Sequence, residues 1–476
     1  MSIVSEVKAH RGRWPELFLT LLACAISFGA YLLAYSGTGG KDMPSNFSLI
    51  IAVTLIVGIG GHLLIRFFAP YADPILFPSA LLLNGLGLAM IYRLDVSSET
   101  NEVEGQFILT IVGVVLMLAT LALVRDHRVL RRLTWTSLIA GIVLLLLPMI
   151  PGLGQEIYGA RIWIGIGSFT YQPAELAKVF FAFFFAGYLV AERDNLSLAG
   201  PKVLGMHLPK PRHLLPLLLA WLLCLALLGI ENDFGTALLF FGLFVAMLYV
   251  ATERISWIII GGVLSVVGVS AVVMIRPHIQ NRFNAWLHTF DPAVYDATGG
   301  SYQLAQGLFG MASGGLFGTG WGEGYPTLSF AANSDLIIAS FAEEIGLTGL
   351  MALLMIYFLI VMRGMRIAIA LRDGFGKLLA VGLAFTIALQ CFIVVGGVTR
   401  LIPLTGLAMP FLAHGGSALL TNWIIIGLLI RMSDAARRPA SSAPILSSEE
   451  YASVPVMEKS SSAGDDINAT QVVVLR

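Results

Sequence analysis

The chain has 476 residues, of which 57% are hydrophobic and only 12% charged, with 29 basic and 29 acidic side chains. Soluble domains carry about 25% charged residues, so this composition, at a mean hydropathy of +0.83, excludes a soluble globular enzyme and indicates a polytopic membrane protein. The zero net charge is uninformative about partners because the charges are sorted by side, and no nucleic-acid partner is expected.

A membrane-crossing helix needs about 20 mostly apolar residues. Segments 17–36, 47–68, 74–93, 106–124, 133–150, 173–191, 212–230, 235–251, 255–275, 336–362, 377–399 and 406–431 qualify. Backbone polar groups must be satisfied within each segment in lipid, so these are helices. The expected class is therefore an all-α polytopic membrane protein with about 12 transmembrane helices. The first segment is no cleavable signal peptide: it is long, lacks a small-residue cleavage site and is followed by many more. Cys24, Cys224 and Cys391 all lie inside apolar runs, which predicts buried packing and no disulfide framework.

Lysine and arginine give the orientation. With residues 1–16 placed in the cytoplasm, 20 of the 29 basic residues fall on the inner side and six on the outer side. Both termini are then cytoplasmic. Residues 276–335 form a long external loop rich in glycine and aromatics, as in Gly299-Gly300-Ser301-Tyr302-Gln303 and Gly318-Thr319-Gly320-Trp321-Gly322. Loops of this length are usually functional or disordered. The aromatic content argues against disorder and for short amphipathic helices on the outer surface or around a cavity. Residues 433–476 turn to Ser, Ala, Pro and acidic residues and read as a disordered cytoplasmic tail.

Ionisable residues gather at the outer ends of several segments, and such residues mark functional sites because they are costly in hydrocarbon. Gln172-Pro173-Ala174-Glu175-Leu176-Ala177-Lys178 opens the sixth segment. Lys178 either pairs with Glu175 at i−3 or joins Arg161 in holding an anion such as a diphosphate. Asp233 either caps the eighth segment or serves as a site carboxylate that orients Lys178 or binds a metal. Asn333-Ser334-Asp335 can likewise cap the tenth segment, but Glu343 and Glu344 lie deeper in the same helix, and a lone cap would need neither. The Gly- and Pro-rich run 395–411 implies broken backbone, tolerated only where it lines a cavity; it contains Arg400, a third external cation. No Walker A loop, Cys/His metal cluster or Rossmann glycine pattern occurs.

Taken together in order, several runs resemble the RodA/FtsW/SpoVE (SEDS) family of bacterial cell-wall polymerases. They are Gly-Ala-Arg-x-Trp-Ile at 159–164, Gln-Pro-Ala-Glu-x-x-Lys at 172–178, Asp-Phe-Gly-Thr at 233–236, Ser-Tyr-Gln at 301–303, Asn-Ser-Asp-x-Ile at 333–337, Ala-Glu-Glu-x-Gly at 342–346 and Ile-Pro-x-Thr-Gly-Leu at 402–407. The pattern is most similar to the actinobacterial RodA branch, where two helices, here 17–68, precede a ten-helix core, here 74–432. Glu231-Asn232 and Ala413-His414 depart from the usual family pattern.

The resemblance implies a peptidoglycan glycosyltransferase in the bacterial cytoplasmic membrane, working on its outer face in cell elongation and shape. It would polymerise lipid II, release undecaprenyl diphosphate and work with a class B penicillin-binding protein. Asp335 would be the catalytic base, and Arg161, Trp163, Glu175, Lys178, Asp233 and Arg400 would contact substrate. A divalent cation such as Mg²⁺, held by Asp233 and Asp335, is a further candidate. A lipid II flippase and a non-catalytic scaffold for a penicillin-binding protein are the alternatives.

Overall fold

The computed structural model describes residues 13–37, 47–157, 160–167, 169–197, 202–203, 206–207, 211–297, 299–329 and 331–439. The long helices are α1 (Trp14–Gly37), α2 (Phe47–Phe68), α3 (Leu76–Ser98), α4 (Glu102–Leu123), α5 (Thr134–Leu146) and α6 (Pro173–Ala191). After the short α7 (Arg193–Ser197) come α8 (Pro211–Glu231), α9 (Phe234–Thr252) and α10 (Ser256–Ile275). The shorter α11 (Pro277–Leu287), α12 (Pro292–Tyr295) and α13 (Tyr302–Gly314) follow, then α14 (Ile337–Ala370), α15 (Gly374–Val398) and α16 (Gly416–Arg437). Among the described residues 11 helices are long and apolar enough to cross a membrane, and Leu215–Glu231 within α8 is a shorter apolar helix. Every predicted segment thus has a helix, and the chain is a multi-pass membrane protein.

Both boundaries of the last helix, and the purely helical class, differ from expectation. The last helix starts at Gly416 rather than at 406, because Gly406 (φ 78°) and Phe411 (φ 66°) take left-handed backbone that a helix cannot hold. The same helix runs on to Arg437, so residues 433–437 are helical; the remainder of the predicted tail, from 440, lies outside the described residues. The protein is also not wholly α. Between α5 and α6 lies an antiparallel sheet of β1 (Gly154–Ile157), β2 (Ala160–Ile166) and β3 (Phe169–Tyr171), in the order β1-β2-β3. Its register sets Gln155 opposite Trp163 and Ile164 opposite Tyr171. Branched and aromatic residues in this stretch favour strands over helix. A two-residue pair, β4 (Lys202–Val203) with β5 (Met206–His207), is the other sheet.

Helix packing relies on small residues, as expected where lipid supplies no hydrophobic drive between helices. Gly113 of α4 lies against the Trp423 indole of α16, and Gly364 of α14 against Ala384 of α15. The most enclosed helices are α6 and α16, with 78% and 83% of their spans buried, whereas α10 is 6% buried and therefore turns its apolar surface outward to lipid. The Gln172 end of α6 and the Gly416 end of α16 meet, since the Gln172 N–H donates to Ser417 Oγ at 2.8 Å.

Long loop 276–335 is ordered by the start of α14. That helix breaks at Gly346 (φ 68°, ψ −176°). The freed backbone is satisfied by the loop: Thr319 and Gly320 N–H donate to the Glu343 and Glu344 carbonyls, and Leu347 and Thr348 N–H donate to the Gly315 and Leu316 carbonyls. Glu343 and Glu344 belong to this joint. Glu343 accepts from Tyr325 N–H at 2.7 Å, and Glu344 accepts from Gly322 N–H at 3.0 Å and pairs with Arg93 at 3.1 Å. They anchor the loop and add no carboxylate to the site beside Asp335.

Candidate active site

A cavity of about 710 Å³ opens at the end of the bundle where α6, α9 and α14 begin. Five regions build it: the β2–β3 sheet with the start of α6, the α8–α9 turn, the loop helices α11 and α13, residues 331–335 before α14, and residues 404–408 with 414–418. Helix α11 contributes His278, Asn281, Arg282, Ala285 and Trp286. That spacing is one face of an α-helix, so the predicted amphipathic loop helix is present and its polar face forms a wall.

Asp335 lines the cavity and is half-buried. It does not cap α14; the cap position is Leu336, with no side-chain hydrogen bond. Among the described residues its carboxylate has no hydrogen bond or ion pair. Burial raises its pKa to about 6, opposed by the Arg282 charge. Gly406, at φ 78°, faces both groups: a methyl on it would lie 3.6 Å from Asp335 Oδ2 and 3.8 Å from Arg282 Nη2. Glycine thus keeps that space open. Arg282 Nη1 donates to the Leu404 and Thr405 carbonyls at 3.2 and 3.0 Å, which fixes the guanidinium between α11 and the 404–408 segment.

Asp233 caps α9 and also lines the cavity, without touching Lys178. Its Oδ1 accepts from Thr236 N–H at 3.0 Å and caps α9, while its Oδ2 accepts from Gln172 Nε2 at 3.0 Å and the residue lines the cavity. Burial raises its pKa against the Thr236 hydrogen bond. Trp163 and Glu175 also line the cavity. Arg161 is exposed on β2, beside the lining residues Ala160, Ile162 and Trp163, and stands at the rim.

Two expected substrate cations are placed elsewhere. Lys178 is fully buried and outside the lining; its Nζ donates to Glu175 at 2.5 Å and to Gln390 Oε1 at 2.9 Å. It holds Glu175 rather than an anion, because the i,i+3 spacing directs it back along α6. Arg400 donates to the Trp286 and Leu287 carbonyls at 2.9 and 3.0 Å and lies over the Phe290 ring, so it caps the end of α11. The site cation that the sequence did not single out is Arg282. The signal was present in the 278-281-282-285-286 periodicity of the loop.

The donor set does not fit the two-carboxylate metal site. Both Asp233 oxygens are engaged, and Arg282 supplies the positive charge felt by Asp233 and Asp335 alike. Among the described residues no group of three His, Cys, Asp or Glu is placed to hold a metal.

Chemically, the cavity offers a carboxylate with no hydrogen-bond partner among the described residues, a fixed guanidinium beside it and an aromatic and amide lining. Residues 74–438 match the FtsW/RodA/SpoVE family model, described as a cell cycle protein. The chain is 45% identical over 440 residues to the peptidoglycan glycosyltransferase RodA of Mycobacterium tuberculosis, covering 91% of this chain and 92% of that protein. It is 30% identical over 376 residues to the stage V sporulation protein E of Bacillus subtilis, covering 77% and 98%. Among solved structures it matches a chain of a peptidoglycan synthase complex with a TM-score of 0.62 at 22% identity, covering 77% of this chain and 98% of that one. It also matches Thermus thermophilus RodA with a TM-score of 0.54 at 23% identity, covering 76% and 96%.

Proposed function

The chain belongs to the FtsW/RodA/SpoVE family, and on that premise we propose that it is a peptidoglycan glycosyltransferase that polymerises lipid II on the outer face of the bacterial cytoplasmic membrane. The observation that carries the mechanism is the unpaired Asp335 carboxylate beside Arg282 in a cavity at one end of the bundle. The bias of basic residues toward the opposite end supports an external position for that cavity.

In the reaction, the anomeric carbon of the growing glycan carries the polyprenyl diphosphate. The 4-hydroxyl of the incoming lipid II attacks that carbon, Asp335 takes the hydroxyl proton, and the diphosphate leaves with the bonding pair. A carboxyl raised to about 6 by burial is ionised at neutral pH yet more basic than a solvated aspartate, which suits a general base. Arg282 is fixed where it neutralises charge growing on the diphosphate, and Arg161 at the rim extends that field to the entering substrate. Glu175, held by Lys178, and Asp233, held by Gln172 and Thr236, shape the wall opposite. No step requires the two-carboxylate metal site.

A penicillin-binding protein is the proposed partner, as one structural match comes from a peptidoglycan synthase complex that coordinates polymerisation and crosslinking. The test is polymer formation from purified lipid II by the full chain, with and without a class B penicillin-binding protein. Wild-type polymer that disappears with Asp335→Asn supports the assignment. Polymer from Asp335→Asn at the wild-type rate removes the base, and no polymer from wild type under either condition favours the flippase or scaffold readings.

A further inference from the structure

A second cleft, of about 400 Å³, lies at the opposite end of the molecule. It is lined by Arg128, Arg131, Arg132, Asp373, Gly374 and Phe375. Asp335 precedes the start of α14 and Asp373 follows its end, and beyond the break at Gly346 that helix alone runs roughly 36 Å at 1.5 Å per residue. The three arginines stand on a 3₁₀ helix, His127–Leu133. With three residues per turn, that helix eclipses side chains at i and i+3. Arg128 and Arg131 therefore stack along one edge, with Arg132 adjoining.

Like charges stacked in one cleft repel unless an anion stands among them. Asp373 is the one carboxylate of the described lining, and it is already committed. Its Oδ2 is 2.8 Å from His127 Nε2, its Oδ1 accepts from Gly376 N–H at 2.7 Å to cap α15, and its contact to Arg128 is long at 3.7 Å. Burial pushes Asp373 up, but the His127 and Gly376 hydrogen bonds and the Arg128 charge outweigh it and hold the carboxyl down to about 2. It is ionised and neutralises at most one of the three cations. Arg131 and Arg132 have no ion-pair partner among the described residues and are exposed.

Around the cations runs an apolar collar that water does not suit. Val129, Leu133 and Trp135 are 53%, 45% and 56% exposed, next to the arginines in sequence. Trp135 is braced by Phe184 and Tyr188, with ring centroids 5.7 and 5.9 Å away. Amphipathic aromatic rings belong at the headgroup level of a membrane, and basic pockets between membrane helices bind lipid headgroups. We propose that this cleft binds the headgroup of an anionic phospholipid from the adjacent leaflet, with its phosphate among Arg128, Arg131 and Arg132 and its acyl chains along Leu133 and Trp135.

The test uses the full chain in nanodiscs of equal parts phosphatidylcholine and phosphatidylglycerol. Lipids retained after gentle extraction are counted by mass spectrometry. Wild type should be enriched in phosphatidylglycerol. Arg131→Gln/Arg132→Gln should lose that enrichment by about 25-fold, at a factor of about five per guanidinium. Arg193→Gln/Arg254→Gln removes two charges from the same end outside the cleft and should retain it. Unchanged enrichment in the cleft variant, or equal loss in both variants, overturns the proposal. So does displacement of phosphatidylglycerol by millimolar inorganic phosphate, which would make the cleft a soluble-anion site. If the double variant fails to fold, Arg132→Gln alone must show the same ranking at about fivefold.

Discussion

The two ends of this protein use the same residue types in opposite ways. At the end away from the cavity, carboxylates are surrounded. Asp73 is buried between Arg437 and Arg363 and accepts from Ile75 N–H at 3.0 Å just before α3. Asp434 accepts from Tyr71 N–H at 2.8 Å and pairs with Arg438. Glu16 pairs with Arg13, which also donates to the Ala69 carbonyl. Together these tie α1, the α2–α3 connection, α14 and α16. At the cavity end, Asp335 is half-buried, has no partner in bonding reach and titrates at about 6. A buried acid with its charges matched holds helices together; a buried acid left unmatched is available for proton transfer.

The sharpest way to break the contrast is to remove the charge at each end. Asp335→Asn should lower polymerisation by 10²–10⁴, the usual worth of a general base. It should also raise heat stability. The folded pKa of about 6 lies above the ordinary 3.8, so the folded state binds more protons and loses stability as pH rises from about 4 to 6. Asparagine escapes that cost, and thermal unfolding at pH 7 should move up by a few degrees. Wild-type rate should rise as pH increases toward about 6 and level off above it. A variant both inactive and less stable would show that Asp335 is structural.

Arg282→Gln is next in size. It removes the charge opposing burial at Asp335, so the acid limb of the rate profile should shift to higher pH, and the maximal rate should fall about 10²-fold. A fall in rate with no movement of the limb would detach Arg282 from Asp335. Asp73→Ala should instead spare the rate per folded molecule and cost about 3 kcal/mol or more of stability, the usual effect of unpairing a buried ion pair.

Lys178→Met sharpens the comparison from within the cavity end. Because Lys178 reaches Glu175 and Gln390 and not the cavity, the loss should appear mainly in stability, by about 3 kcal/mol. Its effect on specific activity should be confined to what a displaced Glu175 causes. A rise in KM for lipid II without destabilisation would restore the anion-binding reading. The smallest effect is expected for Arg400→Gln, which removes a cap from the α11 C-terminus and costs about 1 kcal/mol. Activity lost without destabilisation would return Arg400 to the substrate.

The sequence by itself determined the membrane class, the helical segments and the residues at their outer ends. Apolar length and the cost of unsatisfied backbone in lipid leave few alternatives. The ordered motifs also fixed the family, and Asp335 was legible within Asn-Ser-Asp. Only the tertiary structure decided which charged residue meets which. Lys178 and Arg400 carry the charge expected of phosphate ligands, but their reach is spent on Glu175, Gln390 and the end of α11. Arg282, 53 positions before Asp335 in a loop, becomes its neighbour because α11 folds back under residues 404–406. The sheet at 154–171 and the break at Gly346 were likewise decided by partners distant in sequence. Hydropathy reports the cost of burying a residue; it does not report the partner that offsets that cost, and that choice is made by contacts between segments.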